Sequence, residues 1–406
     1  MNVLLLSPGY PPEMPKFTRG LSEAGATVIG LGDQPVQSLP DDVRHRLSDY
    51  VQTGGFHDEA GLVAYARAYA ARHRVDRVEC LWEPLMIAAA KIREALGAPG
   101  MTVAETVPFR DKEIMKQVLD RAGIRTPRHA NAHTVREVRE AVAAIGYPAI
   151  VKPIAGAGSA DTFRLDDAGQ LERVLPRLGH VEEVSVEEFI DGEEFTYDTV
   201  CGGGEVLYDN ISWYRPRPLI ARSLEWVSPQ TMALRDIEAP DLAAGRAMGR
   251  AVLSAMNFRE GFTHMEWYRK ADGEVVFGEI AARPPGAYTV DVMNYACDID
   301  LFHGWAEAVL RGRLGVPVER RYNAVSIFKR ARGQGRITRI EGLGPLLAEF
   351  GPAIVAVDLL PPGSPRRDWL QTLVSDGMVI LRHPDLTRCM EMADRVGTDL
   401  QMFAGG

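Results

Sequence analysis

The sequence has few cysteines and no paired cysteine motif. Its 406 residues include four cysteines, and no two of them form a CxxC pair. Disulfide frameworks and structural zinc sites need several cysteines at short, regular spacing. The sequence therefore argues against both, and it predicts a protein of a reducing, cytoplasmic compartment.

An excess of basic residues is also absent. The formal net charge is −9 at pH 7, so the chain lacks the overall positive charge that attracts nucleic acid or an anionic membrane. No run approaches the ~20 apolar residues that span a bilayer. The first apolar run, Val3–Leu6, has no basic segment before it and is too short for a signal peptide. We expect neither a nucleic-acid partner nor a membrane.

A third absence concerns the first strand. Val3–Leu6 is wholly apolar and is typical of a buried parallel strand. The sequence that follows it, 7–12, reads SPGYPP and lacks the Gly-x-Gly-x-x-Gly fingerprint. Alternating strand and helix patterns over the first hundred residues predict a doubly wound α/β domain. The missing fingerprint argues against a dinucleotide-binding one.

The chain otherwise has an ordinary globular composition, with 46% apolar and 25% charged residues. Its length leaves room for two to four domains. From about residue 110, the strand patterns become hairpin-like and predict an α+β region. The last part mixes strands with a helix over 385–396, which we expect to end the chain.

The first chemical candidates are two lysines. Lys152 stands at the end of the apolar strand Ala149–Pro153, just before the glycine loop 155–159. Glycines and a serine can present backbone N–H groups to phosphate oxygens, although a plain turn is the simpler interpretation of the loop alone. Lys112 opens a helix and, by itself, is typical of a solvated surface lysine.

The second candidate is the segment 186–196, VEEFIDGEEFT. Its pattern is typical of a strand–turn–strand hairpin with exposed acids. The alternative is a nucleoside site, in which the backbone of 188–190 bonds a purine edge. Glu187 or Glu194 would then accept from ribose hydroxyls or an exocyclic amine.

The third candidate is a pair of glutamates. Asp272-Gly273 is a hairpin turn signal between the strands that carry Glu266 and Glu279, so the two carboxylates should lie close together. Neighbouring carboxylates repel unless a cation or proton separates them, and Mg²⁺ prefers such oxygen ligands together with phosphates. Arg283 adds a planar donor for a phosphoryl or carboxylate oxygen.

In this order and spacing, the candidates resemble the ATP-grasp superfamily. The resemblance covers roughly 110–286 and includes the Glu-Ile-Ala-Ala-Arg-Pro stretch 279–284. It implies an ATP-grasp fold, mixing α/β and α+β parts. The implied domains are an N-terminal doubly wound (pre-ATP-grasp) domain, 1–107, an ATP-grasp domain, 108–315, with a lid at about 125–190, and a small C-terminal α+β lobe, 316–406.

The resemblance also implies roles for individual residues. Mg²⁺, or Mn²⁺ in its place, would bind between Glu266 and Glu279, and Arg283 and Lys152 would act on the transferring phosphoryl group. The residues implied to hold ATP are Lys112, Lys152, Gly156, Gly158, Ser159, Glu187, Glu188, Phe189, Ile190 and Glu194. One departure is Ala281, which stands where the family commonly has a metal-binding asparagine, and it leaves the number of metal ions open.

Within the superfamily, the chain resembles the carboxylate–amine ligases of the L-amino-acid (dipeptide) type. The resemblance implies ATP-dependent amide formation through an acyl phosphate, with a small carboxylate and an amine as substrates. Arg215, Arg222 and His264 are candidates for substrate contacts. The alternatives are a carboxylating or purine-biosynthetic enzyme and a non-catalytic nucleotide-binding protein. A homodimer is left open.

Overall fold

The computed structural model describes residues 1–154, 162–372 and 374–406. The chain opens with a parallel sheet and its helices. The strands are β1 (Asn2–Leu6), β2 (Thr27–Gly32), β3 (Leu47–Gln52) and β4 (Arg77–Glu79), and the helices are α1 (Met14–Glu23), α2 (Asp41–Arg44), α3 (Glu59–Ala70), α4 (Met86–Leu96) and α5 (Val103–Thr106). The strand order is β3-β2-β1-β4.

The apolar character of β1 follows from burial on both faces of this sheet. Val3 and Leu5 pack with Phe17 of α1, whereas Leu4 and Leu6 belong to a second cluster with α3 and α4. Successive side chains of a strand point to opposite faces, so burial on both faces accounts for the unbroken apolar run Val3–Leu6 within β1. The predicted α/β arrangement is confirmed.

The next part of the chain forms a four-stranded antiparallel sheet. Its elements are α6 (Lys112–Arg121), β5 (His129–Ala132), α7 (Val135–Ile145), β6 (Ala149–Pro153), β7 (Phe163–Leu165), α8 (Ala168–Val174) and β8 (Val184–Glu188). The strand order is β5-β8-β6-β7. β6 and β8 pair so that Lys152 lies opposite Ser185, two residues from Glu187.

The largest sheet is antiparallel and carries the rest of the site. Its part of the chain comprises β9 (Glu193–Gly202), β10 (Glu205–Arg215), α9 (Pro218–Ala221), β11 (Gln230–Ala233), α10 (Ala243–Ala255), β12 (Gly261–Arg269), β13 (Val275–Ala281), α11 (Thr289–Cys297), α12 (Leu301–Arg311), β14 (Asn323–Phe328), β15 (Arg336–Glu341), α13 (Leu343–Phe350), β16 (Ile354–Leu359), β17 (Gly377–His383), α14 (Leu386–Asp399) and β18 (Gln401–Gly405). The strand order is β13-β12-β9-β10-β11-β14-β17-β16.

The end of the chain differs from the prediction. A strand, β18, follows α14 and pairs with β15, so the helix does not end the chain. Met402 of β18 is fully buried against Ile337, and this contact keeps the terminal strand in place. Across the described ranges, no helix is long and apolar enough to cross a membrane. The domain boundaries remain predictions.

Candidate active site

A cavity of about 690 Å³ lies between the parallel sheet, the sheet of β5–β8 and the largest sheet. The loops after β1 and β4 reach it from the carboxyl edge of the parallel sheet, which is the usual position of ligand sites in such sheets. Most residues singled out from the sequence line it. They are Lys112, Lys152, Glu187, Glu188, Phe189, Ile190, Glu194, Arg222, His264, Glu266, Glu279 and Arg283.

Glu266 and Glu279 face each other across the hairpin of β12 and β13. They are direct register partners, and Gly273 in the connecting turn has φ = +86°, a conformation that glycine adopts without strain. The hydroxyl of Tyr214 lies 3.5 Å from Oε1 of Glu266. The predicted juxtaposition of the two carboxylates is therefore present, and it presents hard oxygen ligands to the cavity.

Two lysines lie beside this pair. Nζ of Lys112 is 3.4 Å from Oε2 of Glu279, and Nζ of Lys152 is 2.8 Å from Oε2 of Glu187. Burial alone lowers the pKa of Lys152, but the carboxylates of Glu187 and Glu279 outweigh it and raise that pKa. Burial likewise raises the pKa of Glu279, but the lysines and Arg283 bring it below its usual value.

A second, buried lysine, Lys116, shares the carboxylate partner of Lys152. Lys116 is fully buried, and its Nζ contacts the same Glu187 carboxylate from the other side. Burial tends to raise the pKa of Glu187, but Lys116 and Lys152 together lower it strongly. Sequence reasoning missed Lys116, although its spacing of one helical turn from Lys112 could have indicated it.

Arg283 is held by a carboxylate from the parallel sheet. Its Nε donates to Oε2 of Glu83 at 2.8 Å, and Arg110 contacts the other oxygen of Glu83. Glu83 follows β4, so this contact links the first sheet to the largest one. Sequence reasoning assigned Glu83 no role.

Glu194 is paired with an arginine that sequence analysis did not select. Nε of Arg217 lies 3.2 Å from Oε2 of Glu194, and Nη1 donates to the carbonyl of Ile190 at 2.8 Å. Burial and the nearby Glu266 raise the pKa of Glu194 to about 8, against the opposing effect of Arg217. Arg217 also lies 5.0 Å from the ring centres of both Phe189 and Tyr268.

The side chains of Glu188 and Phe189 contact other residues of the protein. The carboxylate of Glu188 binds the guanidinium of Arg125 at 3.2 Å and accepts from the backbone N–H of Arg128 at 3.1 Å. Phe189 carries Arg164 over its ring, 4.1 Å from the centre. The Glu188 carboxylate is thus committed to the fold, and the backbone and the Phe189 ring are what this segment offers a ligand.

His264 belongs to a buried polar pair. Its Nδ1 is 2.6 Å from Oδ1 of the fully buried Asp198, and its Nε2 is 3.6 Å from Oε1 of Glu266. The other oxygen of Asp198 accepts from Thr196 at 2.6 Å. Burial lowers the pKa of His264, but its hydrogen bond to Asp198 outweighs this and raises the pKa to about 9.

Arg215 takes a different place from Arg222. Its guanidinium binds Gln230 at 2.9 Å and Asp394 at 3.1 Å, and it does not line the cavity. Alternation along β10 explains this, because Tyr214 faces the cavity and its neighbour must face the other way. Arg222, beyond the strand, does line the cavity.

The basic run 329–332 is, from its sequence alone, expected to be a solvated surface, with a contact to a nucleotide phosphate as the alternative, but it is partly built into the protein. Lys329 is only 3% exposed, and its Nζ donates to the carbonyl of Gly397 at 2.7 Å and to Ser228 at 2.9 Å. Burial lowers its pKa to about 8. The expectation of a solvated Lys329 is wrong, because the carbonyls at the end of α14 satisfy a lysine that the sequence alone cannot place.

Gly156, Gly158 and Ser159, predicted to form the phosphate loop and lid, lie outside the described residues. In the ranges that are described, no group of three or more His, Cys, Asp or Glu side chains could hold a metal ion by itself. Glu266 and Glu279 could therefore supply two ligands at most, and phosphate oxygens or water would have to complete any coordination shell.

Comparison with known families identifies the class of protein. Residues 22–100 match the ATP-grasp N-terminal domain, and residues 109–211 match the ATP-grasp domain. Over these residues the chain therefore contains an ATP-grasp N-terminal domain and an ATP-grasp domain, and it has the ATP-grasp fold.

Two curated relatives and one solved structure illustrate which proteins the chain is similar to. The L-arginine-specific L-amino acid ligase of Bacillus subtilis is 27% identical over 218 residues, or 52% of each chain, so the match spans about half of that relative. A formate-dependent phosphoribosylglycinamide formyltransferase of Synechocystis is 26% identical over 83% of each chain. The crystal structure of an L-amino acid ligase from Bacillus licheniformis shares the fold, with a TM-score of 0.80 over 100% of this chain and 99% of that one, at 20% identity.

Proposed function

We propose that the protein is an ATP-dependent carboxylate–amine ligase, with an amino acid as one substrate. The observation that carries the proposal is the convergence of the facing pair Glu266 and Glu279 with Lys112, Lys152 and Arg283 in one cavity. With a divalent cation between the glutamates, such a set would offset part of the charge of a triphosphate and the charge that develops as a phosphoryl group moves.

The residues would divide the work by position. Lys112 and Lys152 would bind phosphate oxygens, and Glu194 would accept from the ribose. The backbone of 187–190 and the ring of Phe189 would contact the adenine. Since Arg217 now occupies Glu194 and the Ile190 carbonyl, nucleotide binding requires this side chain to give up at least one of those bonds.

Glu266 and Glu279 fit a divalent cation, because both are carboxylates and they face each other in register. A bound Mg²⁺ would supply positive charge to the phosphates. With Ala281 in place of a third ligand, the protein offers two carboxylates, and the other ligands come from the nucleotide and water.

The proposed reaction has two steps. A substrate carboxylate oxygen attacks the γ-phosphorus of ATP, the bond from that phosphorus to the bridging oxygen breaks, and ADP leaves. The amine nitrogen then attacks the acyl carbon, loses a proton and displaces inorganic phosphate. Arg283, held by Glu83, would stabilise negative charge on the phosphoryl oxygens in both steps.

A phosphate-release screen over paired carboxylic acids and amino acids tests this function. We expect ADP and phosphate only when an acid and an amine are both present, and an amide product of the summed mass minus water. Formation of AMP, or turnover that ignores the amine, would contradict the proposal. Glu279→Gln is the matched inactive control, and Glu341→Gln on the exposed face of β15 is the matched active one.

The 83% mutual coverage with the formyltransferase relative supports a second candidate. In that case the enzyme would activate formate or bicarbonate instead of a larger acid. Formate- or bicarbonate-stimulated ADP formation without any amino acid would favour it.

A further inference from the structure

One part of the cavity wall carries two arginines that form no ion pair with the described residues. It consists of Arg222, just after α9, Arg330, just after β14, and the segment 369–372 that both contact. We call it the arginine wall. It lies apart in sequence from the lysines and glutamates proposed to bind ATP and the metal ion.

The other cavity cations are paired with carboxylates. Lys112 has Glu279, Lys152 has Glu187 and Arg283 has Glu83. Among the described residues, Arg222 and Arg330 form no ion pair with a carboxylate, although both are partly buried. Partly buried arginines without an acid are costly unless an anion completes them.

Nearby acids are already committed elsewhere. Glu225 pairs with Arg366, and the fully buried Asp376 accepts from the backbone N–H groups of Ala331 and Arg367, each at 2.8 Å. These acids are therefore not available to close an ion pair with the arginine wall. The positive charge is a fixed property of this part of the cavity.

Backbone carbonyls and an aromatic ring hold the two guanidiniums in place. Nη1 of Arg330 donates to the carbonyls of Ala221 at 2.8 Å and Leu224 at 2.9 Å, and its guanidinium lies 4.4 Å from the ring centre of Trp369. Nη1 of Arg222 donates to the carbonyl of Leu370 at 3.3 Å. In the described part of the chain, Nη2 of each arginine finds no protein acceptor.

The electrostatics of the pair agree with this geometry. Burial and the neighbouring Arg222 lower the pKa of Arg330 to about 10, against the opposing effect of Glu225 and Asp376, and burial lowers the pKa of Arg222. Each arginine would be stabilised by an anion placed between them. A planar guanidinium with free N–H groups binds carboxylate or phosphate oxygens well.

We propose that the arginine wall is a subsite for an oxyanion carried by the amine substrate. This proposal rests on the proposed ligase function. It means that the amine substrate is an amino acid or an amino phosphate, and that amines without an anionic group are poor acceptors. The anionic tail would lie between Arg222 and Arg330, and the amino group would point along the cavity toward the activated acyl group.

The test compares amines that differ only in the tail. We would measure ADP formation with amino acids, their uncharged amides and 2-aminoethyl phosphate, using an acid found active in the screen. We expect amino acids or the phosphate to exceed the amides at least 10-fold in kcat/KM, and the better of the two tails identifies the oxyanion. Equal values for the amides would overturn the proposal.

Variants separate binding from folding. Arg330→Gln and Arg222→Gln should each raise KM for the anionic amine about 10–100-fold, with little change in kcat or in the rate with the amide. Arg330→Lys, which keeps the charge, should recover part of the loss. Arg339→Gln is the matched control, since Arg339 also stacks on an aromatic ring, Phe403, but lies outside the cavity. An equal loss with amino acid and amide would mean that the arginines only hold the fold.

A phosphate-binding experiment tests the subsite even if the enzyme turns over none of the acid and amine pairs. If no acid and amine pair releases ADP, the ligase function fails, and calorimetric titration of inorganic phosphate into the nucleotide-saturated protein still tests the subsite. The parent should bind phosphate, and the Arg222→Gln/Arg330→Gln protein should bind it at least 10-fold more weakly. Equal binding by the two proteins would refute the subsite itself.

Discussion

Replacement of Lys116 by methionine tests whether a buried ion pair supports Lys152, the lysine proposed to bind phosphate. Lys116 is fully buried and contacts Glu187, whose other oxygen is 2.8 Å from Nζ of Lys152. Methionine keeps most of the side-chain volume but leaves the Glu187 charge with one partner. Removing one member of a buried pair costs about 3–5 kcal/mol. Because Lys152 remains, we expect about 2–3 kcal/mol of lost stability.

The assay is urea unfolding followed by both circular dichroism and tryptophan fluorescence. Lys91→Met, which breaks an exposed pair with Glu59, is the control, and it should change stability by less than about 0.5 kcal/mol. If Lys116→Met is as stable as this control, the buried pair does not stabilise the fold and the reasoning is wrong.

The pH dependence gives an independent check with a definite sign. The lysines hold the pKa of Glu187 well below its ordinary value of 4.5, so the unfolded chain binds the extra proton first as the pH falls. The pair therefore contributes its full stability above about pH 4.5, and loses it as the pH falls toward the lowered pKa. The difference between the parent and Lys116→Met should shrink over that acidic range.

Three further changes probe the site and its scaffold. Glu279→Gln should lower ADP formation at saturating ATP by more than about 100-fold, while the urea midpoint stays near that of the parent. Glu83→Gln frees Arg283 and should lower kcat by about 10–100-fold with little effect on KM for ATP. Gly249→Ala on α10 would place a Cβ 2.2 Å from the ring of Tyr197, and this overpacking should cost about 1–3 kcal/mol in urea unfolding, although alanine favours the helix.

Local sequence patterns were sufficient to predict the pairing of the two glutamates across the hairpin. The Asp272-Gly273 turn and the alternating strands on either side specify the register that brings Glu266 opposite Glu279. The apolar strand before Lys152 likewise predicted where β6 ends. In these cases the information lies within a few residues of the functional side chain, so a local pattern determines its position.

Other features depend on contacts between distant parts of the chain. Lys116 meets Glu187 across 71 residues of sequence, and Glu83 meets Arg283 across 200. No local pattern encodes such partners. Sequence analysis selected Arg215, but Arg217 lines the cavity and Arg215 does not. The side that each residue faces depends on where β10 ends, and strand ends are the least reliable part of a sequence-based prediction.

The charge balance of the cavity has a consequence for ATP binding. Lys112 and Lys152 are each already paired with a glutamate, so a triphosphate entering the cavity meets carboxylates as well as lysines. A divalent cation between Glu266 and Glu279 would remove the repulsion from those two carboxylates and would bind phosphate oxygens itself. Nucleotide and cation must then strengthen each other's binding by the same factor. On the proposed assignment, the lysines alone would not create a phosphate site, and the acidic pair would make ATP binding depend on the metal ion.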